Sequence, residues 1–120
     1  MLVPGRQQRK LLEVGCGVGN LIFPLIEEDL ESNSCSFYYY ACDFSQRAVE
    51  FVKTNSLYDE SRVHAFACDI TTEQLHRHVE AESLDVVTMI FVLSAIHPTK
   101  FALVLNHLWQ VLKPGGDTLS

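Results

Sequence analysis

The sequence predicts an open α/β sandwich, in which helices cover both faces of a parallel β-sheet. Short apolar runs alternate along the chain with segments whose apolar residues recur at helical spacing. The run at 86–93 is apolar except at Thr88, which is typical of a strand covered on both faces. With 120 residues, 48% of them hydrophobic, the chain can build one core. We therefore expect a single domain over residues 1–120, with residues 1–10 as a polar N-terminal tail.

Four strands alternate with four helices in the predicted order. The strands are expected at 11–14, 37–42, 63–68 and 84–93. Asn20 and Ser45 are the expected N-caps of the first two helices, and the second helix ends near Asn55. A shorter third helix is expected at 71–79. A fourth helix follows Pro98 and ends at the Lys-Pro-Gly-Gly turn at 113–116.

Two of these helices carry an apolar stripe that is expected to face the core. The stripe of the second helix is Ala48, Val49, Phe51 and Val52. The stripe of the fourth helix is Phe101, Val104, Leu105, Leu108, Val111 and Leu112. Pro24 is compatible with the first helix, because the first four N–H groups of a helix have no intrahelical acceptor.

Charge and hydropathy exclude several classes of protein. The formal net charge of -6 argues against this chain alone gripping a polyanion. The longest uncharged stretch, 86–99, has 14 residues and is shorter than the roughly 18 that a membrane span needs. The N-terminus lacks an apolar run after its basic residues, so no secretory signal is expected. These features favour a cytoplasmic or nuclear protein without a membrane partner.

The thiols and imidazoles predict no metal site. Cysteines stand at 16, 35, 42 and 68, and no pair has the C-x-x-C spacing of zinc ribbons or redox dithiols. We interpret them as free, buried thiols. His76 and His78 are two residues apart in a polar segment and face different ways, which makes them a poor metal pair.

A glycine cluster follows the first predicted strand. The segment Glu13-Val14-Gly15-Cys16-Gly17-Val18-Gly19-Asn20 offers positions without Cβ at the start of a helix, where a ligand can approach the backbone. The dinucleotide fingerprint G-x-G-x-x-G would require glycine at position 20, where this chain has Asn20. The observed pattern is an acidic residue followed by x-G-x-G-x-G, so a nucleoside-containing ligand other than a dinucleotide is favoured.

Two carboxylates follow the next two strands. Asp43 could accept hydrogen bonds from the vicinal hydroxyls of a ribose, or could merely complement the dipole of the helix that follows it. Asp69 carries the same two alternatives. Because ligands of open α/β sheets collect at the carboxyl ends of the strands, Gly15, Asp43, Asp69 and the segment 90–93 are expected to meet at one edge.

Four segments give the chain a specific family resemblance. It resembles the tRNA N3-methylcytidine methyltransferases of the methyltransferase-like group in segments 11–20, 41–45, 90–98 and 111–116. Glu-Glu-Asp at 27–29 and Val-Glu-Phe-Val-Lys at 49–53 resemble most the member that acts on serine tRNA. The discriminating string is Phe-Val-Leu-Ser-Ala-x-x-Pro at 91–98. These are class I S-adenosylmethionine-dependent methyltransferases, with a Rossmann-like, three-layer α-β-α open parallel sheet. The resemblance implies that this chain holds strands one to four of seven.

The resemblance also implies the ligands and their contacts. The cofactor is S-adenosylmethionine, and the substrate is a tRNA, methylated at cytidine N3 in its anticodon loop. The implied partner protein is an aminoacyl-tRNA synthetase. The implied cofactor contacts are Gly15, Gly17, Gly19, Asp43, Asp69, Ile70 and Ile90. His97 is a candidate substrate contact, although a histidine before a proline is more commonly a loop or cap residue.

Methyl transfer to N3 of cytosine needs little acid–base chemistry, because this nitrogen presents an unprotonated lone pair at neutral pH. We therefore assign no catalytic base. With only four strands, the run 86–93 would keep an unpaired apolar edge. We accordingly expect a fragment or shortened isoform with a partly built cofactor site and weak or no activity. A non-catalytic interaction module is the alternative. An NAD-dependent dehydrogenase is disfavoured by Asn20 and by the lack of a Tyr-x-x-x-Lys pair.

Overall fold

A computed structural model describes residues 8–33, 37–72, 75–89 and 96–119 of the chain. Its sheet has five strands: β1 Arg9–Val14, β2 Phe37–Asp43, β3 Val63–Ala67, β4 Leu84–Thr88 and β5 Leu112–Leu119. They lie in the order β3-β2-β1-β4-β5, and each neighbouring pair is parallel. The predicted parallel α/β sheet is therefore confirmed. The strand order reverses between β1 and β4, which places a crevice beyond the carboxyl end of β1.

Within the described residues, three α-helices and two short 3-10 helices connect the strands. The α-helices are α1 Ile22–Glu31, α2 Gln46–Lys53 and α3 Phe101–Val111. The 3-10 helices are Leu75–Arg77 and Pro98–Lys100. The first of these lies where the sequence predicted a helix at 71–79, so that helix is a single short turn among the residues described. None of the helices described is long and apolar enough to cross a membrane.

The helices lie on both faces of the sheet, as the three-layer prediction requires. On one face, Ile22, Phe23 and Ile26 of α1 and Val49 and Val52 of α2 pack in one buried cluster with Leu11, Tyr39, Ala41, Val63, Ala65 and Val86. On the other face, the second cluster joins Val104, Leu108 and Val111 of α3 to Leu12, Val14, Cys42, Leu84, Val87 and Met89. The core is thus divided by the sheet into two parts.

Three helix details differ from the prediction. The residue at the N-cap of α1 is Leu21, not Asn20, because residues 17–20 form a turn whose Gly19 carbonyl accepts the N–H of Phe23. Phe51 of α2 is 59% exposed although it was placed on the buried stripe. Phe101 and Leu105 of α3 are likewise exposed. In both helices the apolar residues exceed what one sheet face can cover, so some of them face outward.

The expectation of four strands with an unpaired β4 edge was wrong. β5 pairs with β4, from Leu84 opposite Leu112 to Thr88 opposite Leu119, with an irregularity between the first and later pairs. Across this irregularity one residue of β4, Asp85, stands opposite four of β5, residues 113–116, so the Pro-Gly-Gly segment bulges out and the chain then rejoins the ladder. The Lys-Pro-Gly-Gly motif correctly marks the end of α3 at Val111. It is too short to indicate that a strand, β5, begins immediately after the helix.

The same region also shortens the predicted fourth strand. β4 ends at Thr88, and residues 90–93 of the predicted run lie outside the described part. Cys16, Cys42 and Cys68 are buried free thiols, as predicted, and Cys35 also lies outside the described part.

Candidate functional site

A cavity of about 500 Å³ opens at the carboxyl ends of the first three strands. Its wall is built from the end of β1, the residues after β2 and β3, and the segment that leads into α3. The lining residues are Val14, Gly15, Asp43, Phe44, Cys68, Asp69, Ile70, Thr71, Ile96, His97 and Lys100. Five predicted site residues therefore share one cavity: Gly15, Asp43, Asp69, Ile70 and His97.

The glycine loop after β1 is tied to the end of β2. The N–H groups of Gly15 and Cys16 donate to the carbonyl of Cys42 at 2.8 and 3.0 Å. The N–H of Gly17 donates to Oδ2 of Asp43 at 3.0 Å, and the N–H of Gly19 donates to the carbonyl of Cys16 at 2.8 Å. These four backbone donors are already used inside the protein, so the loop does not present them to an anionic ligand.

Gly17 and Gly19 do not line the cavity, and the reason for a glycine differs between them. Gly19 has φ of +87°, and a Cβ there would lie 2.4 Å from Cδ2 of Phe23. Gly17 has φ of +53°, and a Cβ there would meet nothing within 4 Å. Gly19 therefore lets the loop approach α1 closely, whereas Gly17 is required by backbone conformation alone.

Asp43 joins the glycine loop to the start of α2. Its side chain is only 9% exposed; Oδ2 accepts the N–H of Gly17 and Oδ1 accepts the N–H of Ser45 at 2.9 Å. Each carboxylate oxygen retains a second lone pair. Asp43 thus has the local role that the helix-dipole alternative foresaw, and it also borders the cavity.

Asp69 begins a tight turn at the neighbouring wall. Its Oδ1 accepts the hydroxyl of Thr71 at 2.6 Å and the N–H of Thr71 at 3.0 Å. These hydrogen bonds, with the Thr71 hydroxyl contributing most, lower the pKa of the Asp69 carboxyl, so it is ionised at neutral pH. Ile70 follows as a buried apolar surface.

His97 and Ile90 have different outcomes. His97 is exposed at the rim of the cavity, and its Nδ1 accepts the N–H of Thr99 at 3.3 Å, which caps the 3-10 helix Pro98–Lys100. His97 therefore has the capping role that the sequence analysis set against a ligand role. Its side chain still lies beside the cavity. Ile90 lies outside the described residues.

Glu13 and Thr88 form a buried polar pair to which the sequence analysis assigned no contact. They are register partners on β1 and β4, and both are less than 10% exposed. Oε1 of Glu13 and Oγ1 of Thr88 have no hydrogen-bond partner among the residues described. Burial, and secondarily the charge of Asp43, raises the pKa of Glu13 to about 7. The signal in the sequence was an acidic residue inside an otherwise apolar strand.

Two further residues of the site region are Cys16, in the glycine loop, and Phe44, at the cavity. Burial, followed by the nearby carboxylates Asp43 and Glu13, raises the pKa of the Cys16 thiol to about 12, so it is not a thiolate nucleophile at neutral pH. Phe44 lines the cavity with 81% of its surface exposed. An aromatic ring left in water beside a cavity can stack on a flat ligand. The sequence feature that could have identified Phe44 is its position directly after Asp43.

No metal centre is built from the described residues, since no three His, Cys, Asp or Glu side chains among them are grouped closely enough. His76 faces Gln110, with Nδ1 3.3 Å from Oε1, while His78 stacks on Phe66. The two imidazoles therefore have separate partners.

Comparisons with known proteins place the chain among methyltransferases. The chain is 54% identical over 113 residues to the tRNA N(3)-cytidine methyltransferase METTL6 of Homo sapiens, covering 94% of this chain and 38% of that protein. It is 48% identical over 110 residues to the tRNA N(3)-cytidine methyltransferase METTL2 of Danio rerio, covering 92% of this chain and 30% of that protein. The chain thus spans less than two fifths of the length of these relatives.

Solved structures share the fold. The trans-methyltransferase CalH, crystallised in complex with SAH, superimposes with a TM-score of 0.74 at 25% identity, covering 91% of this chain and 30% of CalH. The DszA carbon methyltransferase gives a TM-score of 0.77 at 24% identity, covering 96% of this chain and 28% of that one. A family model described as a methyltransferase domain matches residues 12–118. The chain therefore belongs to the methyltransferase domain family.

Proposed function

We propose that this chain binds S-adenosylmethionine and is the cofactor-binding part of an enzyme that methylates N3 of cytidine in the anticodon loop of a tRNA. The observation that carries the proposal is that the glycine loop, Asp43 and the Asp69-Ile70 turn converge on one cavity. The relatives named as tRNA N(3)-cytidine methyltransferases support the reaction class.

The chemistry of the donor set fits this cofactor better than a dinucleotide. A pyrophosphate needs free backbone N–H groups and a positive surrounding. Here the N–H groups of Gly15, Cys16, Gly17 and Gly19 are engaged, and Glu13 and Asp43 lie beside the loop. Carboxylates suit ribose hydroxyls and a cationic group instead. Oε1 of Glu13, which has no hydrogen-bond partner among the described residues, is buried beside the loop and does not line the cavity.

Each wall of the cavity has its own part in binding. Asp43 accepts hydrogen bonds from the ribose hydroxyls, Asp69 accepts one from the adenine amino group, and Ile70 packs on the adenine ring. Gly17 and Gly19 shape the loop that the methionine part follows, and Phe44 offers a second flat surface. Ile90, outside the described residues, is kept as a proposed contact on the strength of the family resemblance.

The chain's residues act on the reaction by orientation. The bound cofactor supplies the sulfonium methyl group. The cytosine N3 lone pair needs no base to deprotonate it, so the protein must hold donor and acceptor in line, an effect that can contribute roughly 7–11 kcal/mol. We propose that His97 and Lys100, which are exposed at the rim of the cavity, contact the RNA substrate. We propose serine tRNA as that substrate.

Calorimetric titration of the chain with S-adenosylhomocysteine tests the proposal. We expect saturable binding with a Kd of roughly tens to hundreds of micromolar, and no binding of NADH. Asp69→Asn should weaken binding about tenfold, because the amide retains the hydrogen bonds from Thr71 but has lost the charge. Glu50→Gln, an exposed change on α2, is the matched control. Absence of saturable binding up to millimolar ligand would contradict the proposal.

Transfer itself is a separate measurement. Because the chain spans 38% of the human relative, we propose that it methylates serine tRNA weakly or not at all. Incubation with labelled cofactor and tRNA measures this. Turnover equal to that of a full-length relative would show that these 120 residues contain the whole catalytic unit.

The outward face of α3 favours a second candidate, a non-catalytic interaction module. Phe101, Leu105 and Trp109 recur every four residues and are 39%, 57% and 74% exposed. The family resemblance suggests an aminoacyl-tRNA synthetase as the occupant of this face. A stoichiometric complex without cofactor in size-exclusion chromatography, abolished by Trp109→Glu, would favour this candidate. No complex with the purified synthetase would exclude it.

A further inference from the structure

His107 is a buried histidine that connects α3 to the wall of the cavity. Its side chain is 4% exposed, and its Nδ1 lies 2.7 Å from the carbonyl oxygen of Ile70. A carbonyl oxygen can only accept, so Nδ1 carries the proton and donates it. The hydrogen bond joins residues 37 positions apart in sequence.

The carbonyl that His107 holds belongs to the turn that begins at Asp69. Within this turn, Thr71 donates to the Asp69 carboxylate, and the N–H of Thr72 donates to the Asp69 carbonyl at 3.0 Å. These bonds set the shape of the turn, but all of them lie inside it. The bond from His107 fixes the turn relative to the helical layer, and therefore relative to the rest of the cavity.

The same helix also supports the opposite wall. Ile96, His97 and Lys100 line the cavity immediately before α3 begins at Phe101. Leu75 and Val79, which follow the Asp69-Ile70 turn in the chain, lie in the same buried cluster as Val104, Leu108 and Val111. Both walls thus pack against or lead into α3, and His107 makes a buried polar contact between that helix and the Asp69-Ile70 turn.

We propose that His107 is a positioning residue that sets the selectivity of the cavity for an adenine base. This inference rests on the proposed function, in which Asp69 and Ile70 contact the adenine of the cofactor. His107 touches no ligand itself. By holding the Ile70 carbonyl it holds the Asp69 carboxylate at one distance from the base, so losing the donor loosens recognition of the 6-amino group.

The test compares two ligands on two variants. S-adenosylhomocysteine and S-inosylhomocysteine differ only in that the inosyl base has a carbonyl in place of the 6-amino group. We expect the wild-type chain to prefer the adenosyl ligand. His107→Leu removes the donor, and we expect its preference to fall by about three- to tenfold, mostly through weaker binding of the adenosyl ligand. His107→Asn places an amide N–H near the position of Nδ1, so it should retain the preference within about twofold.

Controls separate this role from general stability. His64→Leu, in a half-exposed histidine of β3 that does not line the cavity, should leave the ratio of the two Kd values unchanged. Equal weakening of both ligands in His107→Leu, or an unchanged ratio, would overturn the assignment to His107 while leaving the proposed function intact. Failure of the wild-type chain to bind either ligand would overturn both.

A second measurement needs no substitution. Nitrogen-15 NMR of the histidine side chains in the wild-type chain distinguishes the two neutral tautomers. We expect His107 to be protonated at Nδ1, with that proton protected from exchange by its bond to Ile70. Protonation of the neutral ring at Nε2 alone would overturn the proposal even if His107→Leu failed to fold.

Discussion

Glu13 couples the stability of the protein to pH. Burial, then Asp43, raises its pKa from the usual 4.5 to about 7. Between these two pH values the folded chain holds a proton that the unfolded chain has released, so stability falls as pH rises from about 4.5 to about 7. Over this pH range the free energy of unfolding falls by about 3 kcal/mol.

The variant Glu13→Gln has no carboxyl to ionise and should lack this loss. We expect urea unfolding at pH 5 and pH 8 to show a smaller difference for Glu13→Gln than for the wild type. Glu50→Gln on the exposed face of α2 is the control and should behave as the wild type does. If the wild-type chain were more stable at pH 8 than at pH 5, and Glu13→Gln showed the same difference in stability, Glu13 would not be the group responsible.

Gly17 and Gly19 should respond differently to alanine. At Gly17 the new Cβ has open space, so only the left-handed backbone is penalised and about 1 kcal/mol of stability is lost. At Gly19 the Cβ also meets the Phe23 ring at 2.4 Å, so we expect a loss of about 2–4 kcal/mol. Thermal or urea unfolding of the pair measures both. Equal losses would mean that Phe23 moves aside without cost.

The start of α2 is a feature that the sequence predicted correctly. Ser45 has extended backbone, and its Oγ accepts the N–H of Ala48 at 3.2 Å. Ser45→Ala should therefore cost about 1 kcal/mol, whereas Ser45→Asn, which retains a capping oxygen, should cost little. Denaturant unfolding of both variants checks this. A full loss in Ser45→Asn as well would point to the side-chain volume rather than the cap.

The start of α1 shows where a local signal is insufficient, and the end of α3 shows where long-range bonds support a local signal. Asn20 is a good capping residue, yet the turn formed by the glycine loop places Leu21 at the cap and draws Phe23 onto Gly19. At the other end, the N–H groups of Glu82 and Ser83 donate to the carbonyls of Gln110 and Val111. These long-range bonds help to fix where α3 ends, and no pattern within the helix contains them.

At the scale of the molecule, stability depends on strand β1 at the centre of the sheet. Leu12 is fully buried in the cluster that also holds Val87 and Leu108. Leu12→Ala should destabilise the chain by about 2–5 kcal/mol, since the close neighbours cannot fully collapse into the space. Val18→Ala, at a side chain that is 49% exposed, is the control and should change stability by less than about 0.5 kcal/mol. Urea unfolding measures both variants.

The sequence by itself determined the class of the fold, the first three strands in outline and the edge where Gly15, Asp43, Asp69 and Ile70 meet. These follow from local periodicity, turn chemistry and the rule that parallel strands end at one edge. Only the tertiary structure decided that β5 covers β4, that Phe51 and Leu105 face outward, that Asp43 holds the glycine loop, and that His107 holds Ile70. Each of these depends on partners far apart in the chain, and the spacing of residues along one segment contains no information about such partners.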